Sequence, residues 1–413
     1  MQKMKYSGVE WIGEIPEDRR IIRNKYALSF IKGKIPSEIN TEQKGIPYIG
    51  ASDLDTLSGN ANYLLYTSDV NVPMCNSEDV LVLWDGARAG LIGKNHTGAI
   101  SSTIVKITPD QFINKHFFFW YLKGFEKYLY ECVNGTTIPH MNKKYVEDIM
   151  MIDWSLDDQK RIADFLDDTC GKIDRYIEKQ QQIIDKLKEY KQAVITEAVT
   201  KGLNPDVPMK DSGIEWIGMI PEHWKVMRIK NLLKERNERS EDGIEEPLSM
   251  SQKLGLIPTK FMDTIPNIAS SFIGAKLAYI NDLVFNKLKA HLGVFSVSRY
   301  DGLVSPDYAV YYSTGLANLK YLEYTFKTPQ CICEFRKKSS GIADGLTRLY
   351  TSGLFSIYVP FPCIMEQNSI AKHLETRCSE IDSAISKQTS IIEKLTEYKK
   401  SLIYEAVTGK MEV

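Results

Sequence analysis

The sequence predicts an α+β protein in which two α/β domains are separated by two long antiparallel helices, the whole forming a pseudo-two-fold internal repeat. Three observations predict this fold: a short motif occurs twice, a long helical segment occurs twice, and the two segments between them are similar in length but unlike in sequence. The 413 residues also exceed what one ordinary hydrophobic core holds, so at least two domains are expected.

The repeat is clearest in the scaffold segments. SGVEWIGEIPE begins at Ser7 and SGIEWIGMIPE begins at Ser212, and only two positions differ. The segment 159–200 aligns without gaps to the segment 367–408, with about half of the positions identical. The two halves of the chain are therefore nearly equal in length.

Residues 21–158 and 226–366 show no comparable similarity to each other. A duplication that keeps its ends alike while its middles diverge predicts one scaffold that carries two different binding domains. The predicted limits are 1–155 for the first domain, 156–203 for the central helix, 204–365 for the second domain and 366–413 for the last helix.

The two long segments contain no proline and repeat apolar residues at heptad spacing, which is typical of paired helices. The predicted seam consists of Leu166, Ile173, Ile177, Ile184 and Leu187 in the first copy and Leu374, Ile381, Ile385, Ile392 and Leu395 in the second. A single polar residue, Gln180 or Gln388, interrupts each seam at the same place, as in coiled coils whose register is fixed by one polar position. The alternative is that each helix packs only on its own domain; two matched seams favour an antiparallel pair.

Within the first domain, the pattern predicts strands at 79–84 and 100–107 and a helix around 115–131. The aromatic run 117–121 in that helix could form a base-stacking platform, but a helix points such side chains in several directions, which favours a core role. Loops are predicted at 134–144 and 335–348.

Polar and basic side chains gather in the predicted turns of both domains, where they could pair with base edges or hold phosphates. In the first domain the candidates are Arg88, Lys94, Asn95, His96, Thr136, Thr137, His140, Asn142, Lys143 and Lys144. In the second they are Lys287, Lys289, His291, Arg299, Arg336, Lys337, Lys338 and Arg348. The alternative for each of them is an ordinary solvated loop residue.

Composition restricts the other function classes. The 52 Lys and Arg residues nearly balance the 53 Asp and Glu residues, so a DNA-binding protein of this composition must concentrate its cations on one face. The opening residues lack the features of a secretory signal and the apolar runs are short, so a cytoplasmic protein is expected. The seven cysteines lack zinc spacing, and no phosphate loop, dinucleotide fingerprint or amino-methyltransferase tetrapeptide occurs, so neither a metal site nor catalysis by this chain alone is expected.

The arrangement of two variable domains and two repeated helices resembles the specificity subunit of type I restriction-modification enzymes. The similar motifs are the Trp-Ile-Gly-x-Ile-Pro-Glu segments at 11–17 and 216–222, the Gln-x-x-Ile-Ala-x-x-Leu starts at Gln159 and Gln367, and Gly-Thr-Thr-Ile-Pro at 135–139. The second domain departs from the last motif, with Gly-Ile-Ala-Asp at 341–344.

The resemblance implies that each domain is a target-recognition domain for one half of a bipartite DNA site. It implies that the helices act as a spacer and as the docking surface for two methyltransferase subunits, joined by restriction and translocase subunits. S-adenosylmethionine, ATP and Mg²⁺ would be held by those partners, with no cofactor in this chain. Two alternatives are a two-domain scaffold that binds other proteins and a specificity subunit of a methylase-only system.

Overall fold

The computed structural model describes residues 3–9, 12–23, 27–55, 63–133, 139–251, 254–262, 272–343 and 346–413. The chain divides into two compact units. Unit 1 contains residues 1–181 and 389–413, and unit 2 contains residues 182–388. Each unit therefore combines one α/β domain with part of each long helix.

The two long helices predicted from the heptad pattern are present. The α-helices of the described residues are α1 (Lys115–Gly124), α2 (Glu126–Val133), α3 (Lys143–Glu147), α4 (Leu156–Lys201), α5 (Ile229–Leu232), α6 (Leu319–Phe326), α7 (Pro329–Lys338), α8 (Thr351–Phe355) and α9 (Ile364–Val407). Gly202 follows α4 with a φ of 80°, the left-handed conformation that commonly ends a helix.

Unit 1 contains a four-stranded antiparallel sheet in the strand order β4-β11-β8-β9. It also contains a second four-stranded sheet in the order β6-β5-β10-β7. Its strands are β1 (Met4–Tyr6), β2 (Glu14–Pro16), β3 (Ile21–Arg23), β4 (Leu28–Lys32), β5 (Ile46–Ile49), β6 (Tyr66–Thr67), β7 (Met74–Cys75), β8 (Val80–Leu83), β9 (Ile92–Gly93), β10 (Gly98–Ile100), β11 (Ile104–Pro109) and β12 (Met150–Ile152). The repeated motif, which begins at Ser7, supplies β2 of the antiparallel β1–β2 pair.

Unit 2 repeats this plan with the sheet β16-β23-β20-β21, whose pairs are again antiparallel. Its strands are β13 (Met209–Asp211), β14 (Met219–Pro221), β15 (Lys225–Arg228), β16 (Leu233–Arg236), β17 (Leu248–Ser251), β18 (Gly255–Pro258), β19 (Lys276–Ala278), β20 (Leu283–Asn286), β21 (Phe295–Val297), β22 (Gly302–Val304), β23 (Tyr308–Ser313), β24 (Ser340–Ala343), β25 (Leu346–Arg348) and β26 (Tyr358–Phe361). The duplication is thus visible in topology even where the sequences have diverged.

The long helices run antiparallel within unit 1, as predicted. The Lys399 ammonium of α9 lies 2.6 Å from the Asp174 carboxylate of α4. Nearer the start of α4, the Trp154 indole donates to the carbonyl of Val407, at the end of α9. The start of one helix therefore lies beside the end of the other.

The same relation holds within unit 2. Lys191 of α4 lies 2.7 Å from Asp382 of α9. The Tyr321 hydroxyl contacts the carbonyl oxygens of Val199, near the end of α4, and Pro360, just before α9. The ion pairs of the two units join repeat-equivalent residues, because Asp174 corresponds to Asp382 in the sequence alignment.

The predicted seam positions divide into fully and partly buried ones. Leu166 and Ile173 belong to the core of unit 1, Leu374 belongs to the core of unit 2, and Ile381 is buried at 6% exposure. These cores also contain residues of the α/β domains, so the first part of each helix packs on its own domain as well as on the other helix. Of the remaining seam residues, Ile184 is buried and Ile177, Leu187, Ile385, Ile392 and Leu395 are half-buried.

Gln180 and Gln388 are half-buried, and the side-chain oxygen of each is buried without a hydrogen-bond partner among the described residues. A buried polar atom of this kind costs stability. Their role in fixing the register stays a prediction.

Two predicted elements in the first domain are interrupted. The strand predicted at 100–107 is two strands, because Ser101 and Thr103 form a turn in which their hydroxyls lie 2.9 Å apart and Ile104 N–H donates to the Ser101 carbonyl. The helix predicted at 115–131 breaks at Phe125, which caps α1 by donating its N–H to the Leu122 carbonyl.

The loop predicted at 335–348 is also wrong. Residues 335–338 form the last turn of α7, and the β24–β25 hairpin follows. The helix is started by the Thr328 side chain, which accepts from the Cys331 N–H, and by Pro329 in its first turn. Its last turn is basic and lies at the negative end of the helix dipole, which stabilises the helix at these residues.

The aromatic run of α1 lies in the hydrophobic core, so the core role favoured by the sequence is confirmed and the base-stacking platform is not. Its residues are all at most 3% exposed: Phe117, Phe118, Phe119, Trp120 and Tyr121. In the part of the chain that the structure describes, no helix is both long and apolar enough to cross a membrane, and no cluster of three metal-binding side chains occurs.

Candidate nucleic-acid interface

The site begins with a glutamine that anchors each long helix to its domain. The Gln159 side-chain oxygen accepts from the backbone N–H of Asn114 at 2.7 Å, and its amide nitrogen donates to the carbonyls of Trp154 and Phe112 at 2.9 and 3.2 Å. Asn114 is itself the N-cap of α1. One buried side chain therefore ties the start of α4 to the start of α1.

The second unit repeats this anchor. The Gln367 oxygen accepts from the N–H of Asn318, the N-cap of α6, at 2.8 Å. The Gln367 amide donates to the carbonyls of Pro362 and Leu316 at 2.9 and 3.4 Å. This explains why the repeated helical segments both begin with glutamine: a buried amide satisfies three backbone groups that would otherwise lack partners.

In the first domain, the anchored scaffold brings two sequence-distant loops together. The loop after β8 contacts the segment before α3 through the Gly86 N–H, which donates to the Pro139 carbonyl at 3.1 Å, and through the Met141 N–H, which donates to the Trp84 carbonyl at 2.7 Å. Five candidates lie on these two segments: Arg88, His140, Asn142, Lys143 and Lys144. We call this pair of segments, residues 84–90 and 139–144, the first polar face.

The second domain builds the equivalent face from the loop after β20 and the hairpin before α8. The Leu349 N–H donates to the Lys287 carbonyl at 3.0 Å, in the same place as the Met141 bond of the first domain. Strand β24 extends from the basic last turn of α7, and its Ser340 pairs with Arg348. We call residues 287–293, 336–343 and 346–350 the second polar face. Its candidates are Lys287, Lys289, His291, Arg336, Lys337, Lys338 and Arg348.

The lysines of these faces differ in how they are engaged. Lys143 and Lys337 are exposed and form short-range ion pairs with Glu147 and Glu334 at 2.8 and 2.7 Å. Four exposed cations of the faces make no ion pair with a described residue: Lys144, Lys289, Arg336 and Lys338. The same holds for the candidate Arg299, which lies outside the second polar face. The second group is the better suited to phosphate contacts, since no carboxylate among the described residues competes for its charge.

Two candidates of the first domain are engaged inside it. The Lys94 ammonium lies 2.7 Å from Asp167 and 4.4 Å from the centre of the Phe119 ring. His96 is only 1% exposed, its Nδ1 lies 3.1 Å from the Tyr63 hydroxyl, and burial lowers the pKa of its imidazole. Both side chains stabilise the domain, and we omit them from the proposed interface.

Asn95 and Arg88 are two further candidates of the first domain. Asn95 has a φ of 65°, a conformation that asparagine tolerates well, and Arg88 is exposed and donates to the Ala51 carbonyl at 3.1 Å. Thr136 and Thr137 lie outside the described residues.

Each polar face carries a cationic or titratable side chain held by a carboxylate. His140 Nδ1 contacts Asp85, whose other oxygen lies 3.0 Å from the Lys32 ammonium. Burial raises the pKa of Asp85, but the hydrogen bonds from Lys32 and His140 outweigh it, and the pKa lies below its usual value. In the second face, Arg348 Nη2 donates to Asp307 at 2.7 Å.

The two aspartates were missed at the sequence level, because only side chains able to donate to DNA were considered. Asp85 lies two residues after the end of β8, and Asp307 directly precedes β23. A carboxylate at the edge of a buried strand and beside a basic turn is the signal that could have revealed them.

The fold therefore contains two related α/β domains, each anchored to a long helix and each carrying a polar face. Residues 27–189 match the family model described as the type I restriction modification DNA specificity domain. The chain is 26% identical, over 97% of its length and 94% of the relative's, to the type I restriction enzyme MjaVIII specificity subunit of Methanocaldococcus jannaschii. It is 21% identical, over 91% of its length and 82% of the relative's, to the type I restriction enzyme EcoBI specificity subunit of Escherichia coli.

Residues 27–189 therefore carry a type I restriction modification DNA specificity domain, and the chain is similar over most of its length to type I restriction enzyme specificity subunits. The fold agrees with a chain from a solved structure of complex assembly and conformational transition of the type I R-M system. The two superpose with a TM-score of 0.69 at 15% identity, covering 96% of this chain and 99% of the other.

Proposed function

We propose that this subunit reads a bipartite DNA target, one half through each polar face, and directs adenine methylation and restriction that partner subunits carry out. The observation that carries the proposal is that one scaffold occurs twice with different polar side chains on it. The sheet order and the glutamine anchor are the same in both units. Two equal domains with unlike contact residues suit two unlike half-sites.

The chemistry of the faces fits duplex DNA. Sequence is read by side chains that present donors and acceptors to base edges, and affinity comes largely from cations that neutralise phosphates. The first face offers His140 and Asn142 beside Lys144, and the second offers Arg348 beside Arg336 and Lys338. The net charge of −1 then reflects acidic residues elsewhere in the chain.

The long helices supply the surface on which we propose that two methyltransferase subunits dock. Ile183 and Tyr190 of α4 are 40% and 49% exposed, and their repeat equivalents Ile391 and Tyr398 of α9 are 41% and 57% exposed. The first pair lies in unit 2 and the second in unit 1. Equivalent exposed apolar pairs, one in each unit, suit two copies of one partner.

The docking proposal is tested by counting partners with native mass spectrometry. Tyr190→Glu and Tyr398→Glu should each reduce the bound methyltransferase from two copies to one, and the double variant should bind none. Tyr176→Glu is the matched control, because Tyr176 is 59% exposed on the same helix as Tyr190 but its repeat equivalent is Ala384, so that no second tyrosine matches it. Two bound copies in the double variant would contradict the proposal.

In this proposal the subunit is not catalytic by itself. The methyltransferase subunits would hold S-adenosylmethionine, and the restriction subunits would hold ATP and Mg²⁺. The units to exchange in an experiment are the two segments that show no similarity to each other, residues 21–158 and residues 226–366.

Exchange of residues 21–158 for those of a related subunit tests the proposed function. Mapping methylated sites across a genome should show that one half of the target changes while the other half and the gap are retained. Exchange of residues 226–366 is the reciprocal control and should change only the other half. A change of both halves, or the absence of salt-sensitive binding to duplex DNA, would contradict the proposal and favour a protein-binding scaffold.

A further inference from the structure

The two polar faces share a matched position whose side chain differs. Met141 and Leu349 make the same backbone bond to the loop after the central strand, so the residues just before them, His140 and Arg348, are structurally equivalent. The short helices that follow, α3 and α8, begin at equivalent places. The fold therefore presents one side chain from this position in each domain.

In both domains a carboxylate holds that side chain, but the carboxylate comes from a different place. Asp85, which holds His140, lies in the loop after β8. The corresponding residue of the second domain is Leu288, which has no charge, and Arg348 is held instead by Asp307, just before β23. Each domain therefore has a carboxylate that orients this side chain, but the two carboxylates come from different positions in the repeat.

Each held side chain keeps hydrogen-bonding capacity for a ligand. The Asp85 contact uses Nδ1 of His140, and Nε2 makes no hydrogen bond to a described residue, while the side chain is 57% exposed. Arg348 uses Nη2 for Asp307, its Nη1 makes no hydrogen bond to a described residue, and the side chain is 27% exposed. Orientation in advance reduces the entropy lost when such a group binds.

We propose that His140 and Arg348 are the matched specificity-determining residues of the two half-sites, and that Asp85 and Asp307 are their positioning residues. The inference rests on the proposed function, since it requires each face to read DNA. An arginine fixed by a carboxylate presents its remaining donors in a defined direction, which suits the O6 and N7 acceptors of guanine in the major groove. The half-site read by the second domain therefore contains a guanine that Arg348 contacts.

The difference between histidine and arginine at one position explains how the repeated scaffold can read unlike sequences. A histidine whose Nδ1 is engaged offers a single contact through Nε2, whereas an arginine offers a fork. We expect the position read by His140 to be less strictly selected than the guanine read by Arg348. The surrounding lysines then contribute affinity that does not depend on sequence.

The test is selection from a randomised duplex library by the full chain assembled with its methyltransferase subunits. Arg348→Ala should reduce the preference for guanine at one position of one half-site by roughly ten- to a hundred-fold and leave the other half-site and the gap unchanged. Arg348→Lys should lose the same preference while the salt dependence of binding is retained, which separates base reading from charge and from misfolding. Asp307→Asn should cause a smaller loss at the same position.

The corresponding variants of the first domain, His140→Ala and Asp85→Asn, should relax one position of the other half-site. Arg161→Ala is the control, because Arg161 of α4 is likewise an arginine paired with one carboxylate, that of Asp158 at 3.1 Å, and it lies outside both polar faces. It should leave the selected sequence unchanged.

The outcomes separate the two levels of the argument. If the unmodified assembly selects no bipartite sequence, the proposed function fails. If it selects one, but Arg348→Ala retains the same preference or weakens binding to all sequences equally, only the assignment of Arg348 fails. Loss of preference in Arg161→Ala as well would show that the effect does not come from the polar face, and would also overturn the assignment.

Discussion

The two domains place opposite chemistry at one position of the same scaffold. Phe119 of α1 and Glu323 of α6 lie the same distance beyond the N-caps Asn114 and Asn318, and both are buried, at 1% and 5% exposure. In the first domain Lys94 lies over the aromatic ring. In the second domain the Glu323 carboxylate accepts from the N–H of Val297, a residue of β21 whose place in the sheet corresponds to that of Lys94 after β9.

In each domain the charge at this position is neutralised by a neighbouring side chain. Lys94 is neutralised by Asp167, and Glu323 is neutralised by Lys320 and Lys327 at 2.8 and 2.6 Å. A core can therefore exchange an aromatic ring for a carboxylate when the neighbouring charges change with it. The comparison teaches that backbone register and the glutamine anchors, rather than the identity of core residues, keep the two domains alike.

The largest effect is expected from removal of the glutamine anchors. Gln159→Leu and Gln367→Leu each leave three backbone groups without their partner, and should lower the stability of the unit concerned by about 3 kcal/mol. Hydrogen–deuterium exchange read by mass spectrometry reports the two units separately. Gln181→Leu is the control, since Gln181 is exposed on the same helix as Gln159. Equal exchange in all three variants would show that the anchors do not maintain the shared scaffold.

The next largest effect is expected from the buried Glu323 carboxylate of the second domain, whose contribution to stability should depend on pH. Burial raises the pKa of Glu323, but Lys327 and Lys320 outweigh it, and the pKa lies below its usual value. The carboxylate form therefore stabilises the fold at neutral pH, and this contribution is lost as the pH falls through the pKa of the folded state. Glu323→Gln should cost about 2 kcal/mol at neutral pH and progressively less in acid.

The control for this experiment is Phe119→Leu in the first domain, whose cost should not depend on pH in the same range, because the aromatic side chain does not titrate. Urea unfolding at several pH values measures both variants. A cost for Glu323→Gln that stays constant with pH would mean that its carboxylate is not held as an anion in the folded protein.

A smaller effect compares paired and unpaired lysines of the polar faces. Lys144→Gln and Lys338→Gln should each lower the slope of log affinity against log salt by about one, because these exposed cations make no ion pair with a described residue. Lys143→Gln and Lys337→Gln are matched neighbours whose charge is already shared with Glu147 and Glu334, so their effect should be smaller. If the slope in all four variants equals that of the unmodified protein, these lysines do not contact the DNA phosphates.

The smallest effect concerns the repeat-equivalent ion pairs between the helices. Lys399, 13% exposed, pairs with Asp174, and Lys191, 29% exposed, pairs with Asp382. Because both carboxylates are well exposed, each pair should contribute about 1 kcal/mol or less, with Lys399→Met the more costly substitution. Added salt should reduce the cost of both. A larger cost for Lys191→Met would contradict the use of burial to rank the pairs.

The large features of the fold were predictable because they depend on pattern. The repeated motifs and heptads predicted two domains and two antiparallel helices, and helix α4 ends at Lys201 where the following Gly202 predicts it. The break at Phe125 had only a weak local signal, because Gly124 at the end of α1 has low helix propensity but an isolated glycine is tolerated inside a helix. Boundaries inside the domains depend on tertiary contacts that a single sequence does not show.

The candidate site was only partly predictable for the same reason. Basic residues in turns were visible, but the burial of His96 and the capture of Lys94 depend on long-range packing. The bond between the Leu349 N–H and the Lys287 carbonyl joins residues far apart in the chain, so the composition of the second polar face could not be read from either segment alone.

The discontinuous composition of unit 1 has a consequence for the order of synthesis. Unit 2 is a continuous stretch, residues 182–388, and a ribosome has released all of it before residues 389–413 appear. The core of unit 1 needs Leu402, Ile403, Ala406 and Val407 from that last stretch. The N-terminal domain is made first but can complete its packing only last, and until then the apolar surface that these four residues cover stays exposed.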